Sequence, residues 1–361
     1  MARKINKDKK TNNLSQVFSP PVSLPDNESF LDKIITLAPL FLLGAAPLIF
    51  FKMGGEFENN PKMLFLEWGI GLLALIQALR IQPQAFSWIR TPLDFPLVAF
   101  YCFCWVSLLQ AANPWQATLN LLHWGAAIVF YFFLVHTIKK QGFIDHIFVA
   151  VAISVIPVSI LGILQKLSGV TWGIPQLTVP ASTFSNQNMA AQFLAITFPL
   201  CIGAVFCSKQ FWMKLAGGIS LPLSLLYLLY TQARGPWLAV LIALVLFLIA
   251  LFKPPFASKT KLYLKQKKII YTGIALVVIG ILLLMSPARK ALQLDEKIKN
   301  RFVSIVTDKL EKRGSSQLRY IWWRNTLEMV QDNFFLGVGL GNFKLQYPPY
   351  HLKVEKDWSF T

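Results

Sequence analysis

Arg234 stands in TQARGPWLAV (residues 231–240), between two long apolar runs and directly before Gly235 and Pro236. Proline suits the first residue of a helix, where its missing N–H costs nothing, so a helix is expected to start at Pro236. An arginine beside the free N–H groups of a helix start makes an anion site, for phosphate above all. The same residue also fits an interfacial arginine reaching to water and lipid headgroups. A second cluster, STFSNQNMAAQF (182–193), offers Ser185 or Asn186 as a helix cap. Asn188, one step inside, carries an amide that can hydrogen-bond a sugar or a phosphate, although capping alone explains this cluster as well. The third, SSQLRYIWWRNTLEMVQDNFF (315–335), sets Arg319 four residues before Trp323, on one helical face. Arg319 can stack on Trp323 as a cation–π pair or serve as a second phosphate ligand.

The elements that must position these residues are membrane helices. The chain has 361 residues, 55% of them hydrophobic and 14% charged, with a mean hydropathy of +0.50. Ordinary soluble domains carry about 25% charged residues. Nine apolar runs approach the length of a span, near 34–51, 63–81, 92–109, 117–137, 144–164, 189–206, 212–230, 236–252 and 269–285. The third and sixth each need an end residue or two that is not strongly apolar. The expected fold is an all-α polytopic helical bundle over 34–285. Residues 1–33 read as a disordered, basic cytoplasmic tail, and 286–361 as a long outer-side segment with amphipathic helices, which the resemblance below makes the start of a large periplasmic loop.

The formal charge of +18 invites a nucleic-acid reading, and its distribution argues against one. With the N-terminus inside, Arg3, Lys4, Lys7, Lys9, Lys10, Lys33, Arg80, Arg90, Lys139, Lys140, Lys209, Lys214 and six lysines between 253 and 268 share one side. The short loops opposite hold Lys52, Lys62, Lys166 and Arg234. This is the positive-inside asymmetry of an inner-membrane protein, with anionic lipids as partners rather than nucleic acid.

Other residues point to structure. Cys102, Cys104, Cys201 and Cys207 lack metal-ligand spacing and read as small core residues. His123, deep in a span, is expected to be a satisfied hydrogen-bonding residue, and Glu67 and Asp94 to lie near span ends. No buried carboxylate pair of the kind that drives a proton pump stands within the spans, and no acidic cluster suggests a metal. GVGLG (337–341) is not the glycine pattern of a dinucleotide site and reads as a tight turn. The wide apolar side of 315–335 suits either a helix in the membrane interface or one packed in a small soluble cap.

Taken in order, FSNQNMAAQF, TQARGPWLAV, SSQLRYIWW and DNFFLGVGLGNFKLQYP resemble the O-antigen ligase and O-antigen polymerase family of bacterial envelope enzymes, from about residue 180 onward. The resemblance implies a GT-C-type membrane glycosyltransferase that needs no cofactor and no metal. Such an enzyme moves a glycan from undecaprenyl pyrophosphate to a glycan acceptor (lipid A core, another repeat unit, or protein) at the periplasmic face of the inner membrane. It implies that Arg234 and Arg319 are catalytic and hold the pyrophosphate, with Asn186, Asn188, Trp323 and His351 as substrate-binding residues. Some proteins with this pattern are linked to bicarbonate uptake, and a non-catalytic envelope role is the further alternative. The family also carries a histidine, usually followed by asparagine, later in the loop. Thr361 comes before any such motif, which points to a sequence truncated at its C-terminus.

Overall fold

The structure, a computed structural model, describes residues 30–51, 59–80, 88–137, 143–174, 176–208, 210–252 and 315–351. Eight apolar helices occupy the first eight expected runs: α1 (Phe30–Ala45), α2 (Asn59–Arg80), α3 (Asp94–Ser107), α4 (Pro114–Thr137), α5 (Phe143–Ser168), α6 (Gln187–Cys207), α7 (Phe211–Thr231) and α8 (Arg234–Phe252). Two more follow, α9 (Ser315–Asp332) and the single turn α10 (Phe343–Gln346). No strand occurs among the described residues. The fold is all-α, as the sequence predicts.

Five of these helices, α2 and α4–α7, are long and apolar enough to cross a membrane. The other three, over Lys33–Leu48, Asp94–Gln110 and Arg234–Phe247, are apolar but shorter. The expected nine spans are therefore five of full length and three short among the described residues, and the run 269–285 lies outside them. The first and third runs each close in a 3-10 turn, Ala46–Leu48 and Leu108–Gln110.

The densest packing joins α5, α6 and α7, with α8 against α6 and α1 against α5. Small residues let these helices approach, as expected where lipid gives no hydrophobic drive to helix pairing. The Tyr227 ring of α7 lies over Gly162 of α5, where an added Cβ would come within 2.1 Å of it. At Gly217 of α7 an added Cβ would come within 2.9 Å of the Cys201 carbonyl of α6. Buried Ser154, Ser220, Ser224 and Thr231 turn their hydroxyls back onto carbonyls of their own helices, so none needs a partner across the apolar core. Cys104 and Cys201 are buried as expected, whereas Cys102 is exposed on the outside of α3. Two residues of a helix turn it by about 200°, so Cys102 and Cys104 face opposite ways.

α2 and α4 form a second, thinner layer on α1. Here His123 Nδ1 pairs with Glu67 Oε1, which satisfies His123 as the sequence suggests. The partner was not foreseen: Glu67 lies two turns inside α2 rather than at a span end.

Candidate functional site at the Arg234 end of the bundle

The chain turns from α7 into α8 without glycine. Gln232 takes the left-handed conformation at φ 53°, and its N–H bonds the Leu229 carbonyl. The Trp237 indole donates to the Leu228 carbonyl at 2.8 Å, closing the hairpin from inside. α8 begins at Arg234, not at Pro236, because Ala233 already accepts the Trp237 N–H. Proline therefore stands third in the helix, still within the first turn where its missing N–H costs little. Arg234 is half-buried and engaged in a contact, and the space over Gly235 is open.

α6 starts at the same end. Asn186 is its cap, its Oδ1 accepting the Asn188 N–H at 2.8 Å. Thr178 adds to the cap, donating to Asn186 Oδ1 and accepting from the Gln187 N–H. The Asn188 side chain is exposed. Because α6 packs on α8 and both begin here, two helix N-termini open side by side. Each carries the partial positive charge of a helix start, which suits an anion, although the α6 N–H groups of residues 187–190 are already taken by Thr178 and Asn186.

What holds these helix starts in register was not legible as chemistry in the sequence. The loop between α5 and α6 folds into the bundle rather than over it. Ser182, fully buried at φ 56°, donates its hydroxyl to the Val158 carbonyl and its N–H to Gln165 Oε1, and its carbonyl accepts from Gln165 and Gln176. The Thr183 hydroxyl donates to the Pro47 carbonyl, and the Tyr227 hydroxyl to that of Pro180. Lys62 of α2, only 9% exposed, donates to the carbonyls of Ile49 (2.5 Å) and Thr183 (2.9 Å), with its ammonium 5.1 Å from the centre of the Phe184 ring. One cation thus ties α1, α2 and the start of α6 together. Lys62→Met strands two buried carbonyls, and we expect it to cost about 1–3 kcal/mol of stability per orphaned group. Thermal unfolding in nanodiscs checks this, and an unchanged midpoint contradicts it.

The C-terminal residues reach the same end. The glycine run forms a tight turn, with Gly337, Gly339 and Gly341 all at positive φ. It delivers Asn342, fully buried, to Asn113 at the start of α4. The Asn113 N–H donates to Asn342 Oδ1 at 2.7 Å, while Asn342 Nδ2 donates to the Asn113 and Leu340 carbonyls. Asn113 in turn caps α4 by accepting the Gln116 N–H. Gly339 lies against the Ala111 backbone and Gly341 against the Asn120 amide, so neither position has room for a side chain. α9 packs onto this turn, and among the described residues it makes little contact with the bundle helices. Its Asn325 donates to the Tyr347 hydroxyl, and Asp332 accepts that of Tyr350 at 2.9 Å. The Asp332 hydrogen bond raises the Tyr350 phenol above its ordinary pKa.

Arg319 and Trp323 are both exposed on α9 and are not stacked. The cation–π contact among the described residues is that of Lys62 with Phe184. His351, half-buried, closes the described segment with its ring tilted 6.0 Å from Tyr347. The structure thus gathers Arg234, Asn186 and Asn188 at one end of the bundle, and sets Arg319, Trp323 and His351 on the attached C-terminal unit.

These features define an integral membrane protein of helical architecture with cationic and helix-start groups collected at one end. Residues 219–360 match the O-antigen ligase family model, a stretch that includes most of α7, the Arg234 hairpin, α9 and the glycine turn. Over this stretch the chain is similar to the O-antigen ligase family. Searches of curated proteins and of solved structures found no match.

Proposed function

We propose that the protein transfers a glycan from undecaprenyl pyrophosphate to an acceptor (lipid A core, a further repeat unit or a protein) at the periplasmic face of the bacterial inner membrane. The observation that carries this is the pairing of the Arg234-bearing start of α8 with the capped start of α6. In glycosyl transfer an acceptor hydroxyl attacks the anomeric carbon, its proton passes to a base, and the bond to the pyrophosphate oxygen breaks. Negative charge grows on the leaving pyrophosphate as that bond opens. A guanidinium and the partial positive charge of helix starts there stabilise the transition state more than the ground state.

In this reading Arg234 and Arg319 hold the pyrophosphate, Asn186 caps and orients α6, and the exposed Asn188 amide meets sugar or phosphate oxygens. Trp323, one turn from Arg319, meets the lipid-linked donor at the bilayer surface, and His351 is the histidine of the attached unit that can meet the acceptor. Cells lacking the protein are expected to accumulate the lipid-linked glycan, and the wild-type chain to clear it. Clearance by an Arg234→Ala chain inserted in normal amount would overturn the arginine's role.

A further inference from the structure

α9 turns its polar and apolar faces the opposite way from a helix of a soluble cap. Asn325, 0% exposed, and Met329 are buried against the C-terminal turn. Tyr320, Trp323, Leu327, Val330 and Phe334 all stand exposed. At 100° per residue Tyr320, Trp323, Leu327 and Val330 fall within an arc of about 80°, a stripe along nearly three turns, and Phe334 follows just past the helix end. Arg324 lies about 40° beyond one edge, and Arg319 about 20° beyond the other, between the stripe and exposed Trp322. Arg324 keeps only a long 3.8 Å contact with Glu328.

An aromatic stripe edged by arginines matches a helix in the boundary between headgroups and acyl chains. The attachment point argues for the same surface. Asn113, which holds Asn342, sits between Leu109 and Trp115, both largely exposed at the ends of two apolar helices. Tryptophans at such ends mark the membrane–water interface. The unit carrying α9 is thus tied to the bundle at bilayer level, with its buried face already occupied.

We infer that α9 lies in the membrane interface with the Tyr320–Phe334 stripe against lipid, and that its occupant is the bilayer crossed by the bundle. Arg319 and Arg324 then sit at the level of the lipid phosphates. This inference does not depend on glycan transfer, so the two can fail separately.

The test places nitroxides on the full chain in nanodiscs of mixed zwitterionic and anionic lipid, with Cys102, Cys104, Cys201 and Cys207 replaced by alanine. Labels go on Trp323→Cys, Leu327→Cys and Val330→Cys, with Glu328→Cys as the off-stripe control. The stripe labels should collide several-fold more with oxygen than with a water-soluble nickel chelate, at a depth of about 5–10 Å below the phosphates. Glu328→Cys should show the reverse. Equal access of the chelate to stripe and control overturns the inference, as do stripe labels shielded from both reagents, which would mean a protein occupant. The unmodified chain gives a second reading with lipids bearing a photoreactive acyl group. Crosslinks in the 320–334 peptide are expected, and their absence while the spans are labelled contradicts the assignment.

Discussion

Arg234→Ala is expected to lower glycan transfer by about 10²–10³-fold, the loss typical when one fixed donor to a developing charge is removed. The cause is position. Arg234 is the first residue of α8, its backbone held by the Trp237–Leu228 bond and the Gln232 turn, so the helix start that carries its charge is set before substrate arrives. A flexible cation must be ordered during the reaction, and much of its benefit is lost to that ordering. Arg234→Lys should recover only part of the activity, because an ammonium cannot present the two parallel donors of a guanidinium to a phosphate. Initial rates in proteoliposomes check both variants, with unfolding temperature as the control for insertion. Full activity in Arg234→Ala would remove the residue from the mechanism.

The second large effect is expected from Gly339→Ala. At φ 86° any side chain is strained, by about 1–3 kcal/mol. The added Cβ would also stand 2.6 Å from the Ala111 Cα, and that atom belongs to backbone that cannot swing aside. The Asn342–Asn113 pairing should therefore open and free the unit bearing Arg319. Gly337→Ala is the control, sharing the positive φ with nothing within 4 Å of the added atom. Hydrogen exchange at the Asn113 amide should accelerate strongly in Gly339→Ala and much less in Gly337→Ala, with transfer falling in the same order. Equal exchange in the two would mean that close approach to Ala111 does not hold the unit.

The parts of this molecule legible in the sequence are those set by local pattern. Apolar length places the helices, Asn186 before an apolar run gives a cap, and GVGLG gives a turn. Each depends on neighbours within a few residues. The Asn342–Asn113 pairing spans 229 residues, and no local signal distinguishes these asparagines from the others. Lys62 reads as one more loop charge, and only the folded chain reveals that carbonyls from α1 and the α6 loop converge on it. Gln165 and Ser182 were missed for the same reason, since a buried polar residue is defined by its partner. The α8 start was misjudged by two residues because proline is tolerated throughout a first helical turn, so it marks the turn rather than its first residue. For α9 the apolar pattern was plain, but which face would be buried was not. Asn325 faces inward because Tyr347 supplies its partner there.

The central claim is that the anion gathered at the Arg234 end is the pyrophosphate of a lipid-linked glycan. Single-turnover reaction of the purified chain in proteoliposomes, with glycan-labelled undecaprenyl pyrophosphate and an acceptor, tests it most directly. The account predicts one equivalent of free undecaprenyl pyrophosphate for each glycan transferred, with both products lost in Arg234→Ala. Intact donor beside a folded wild-type protein, together with bicarbonate flux in the same vesicles that needs no lipid-linked glycan, would contradict it.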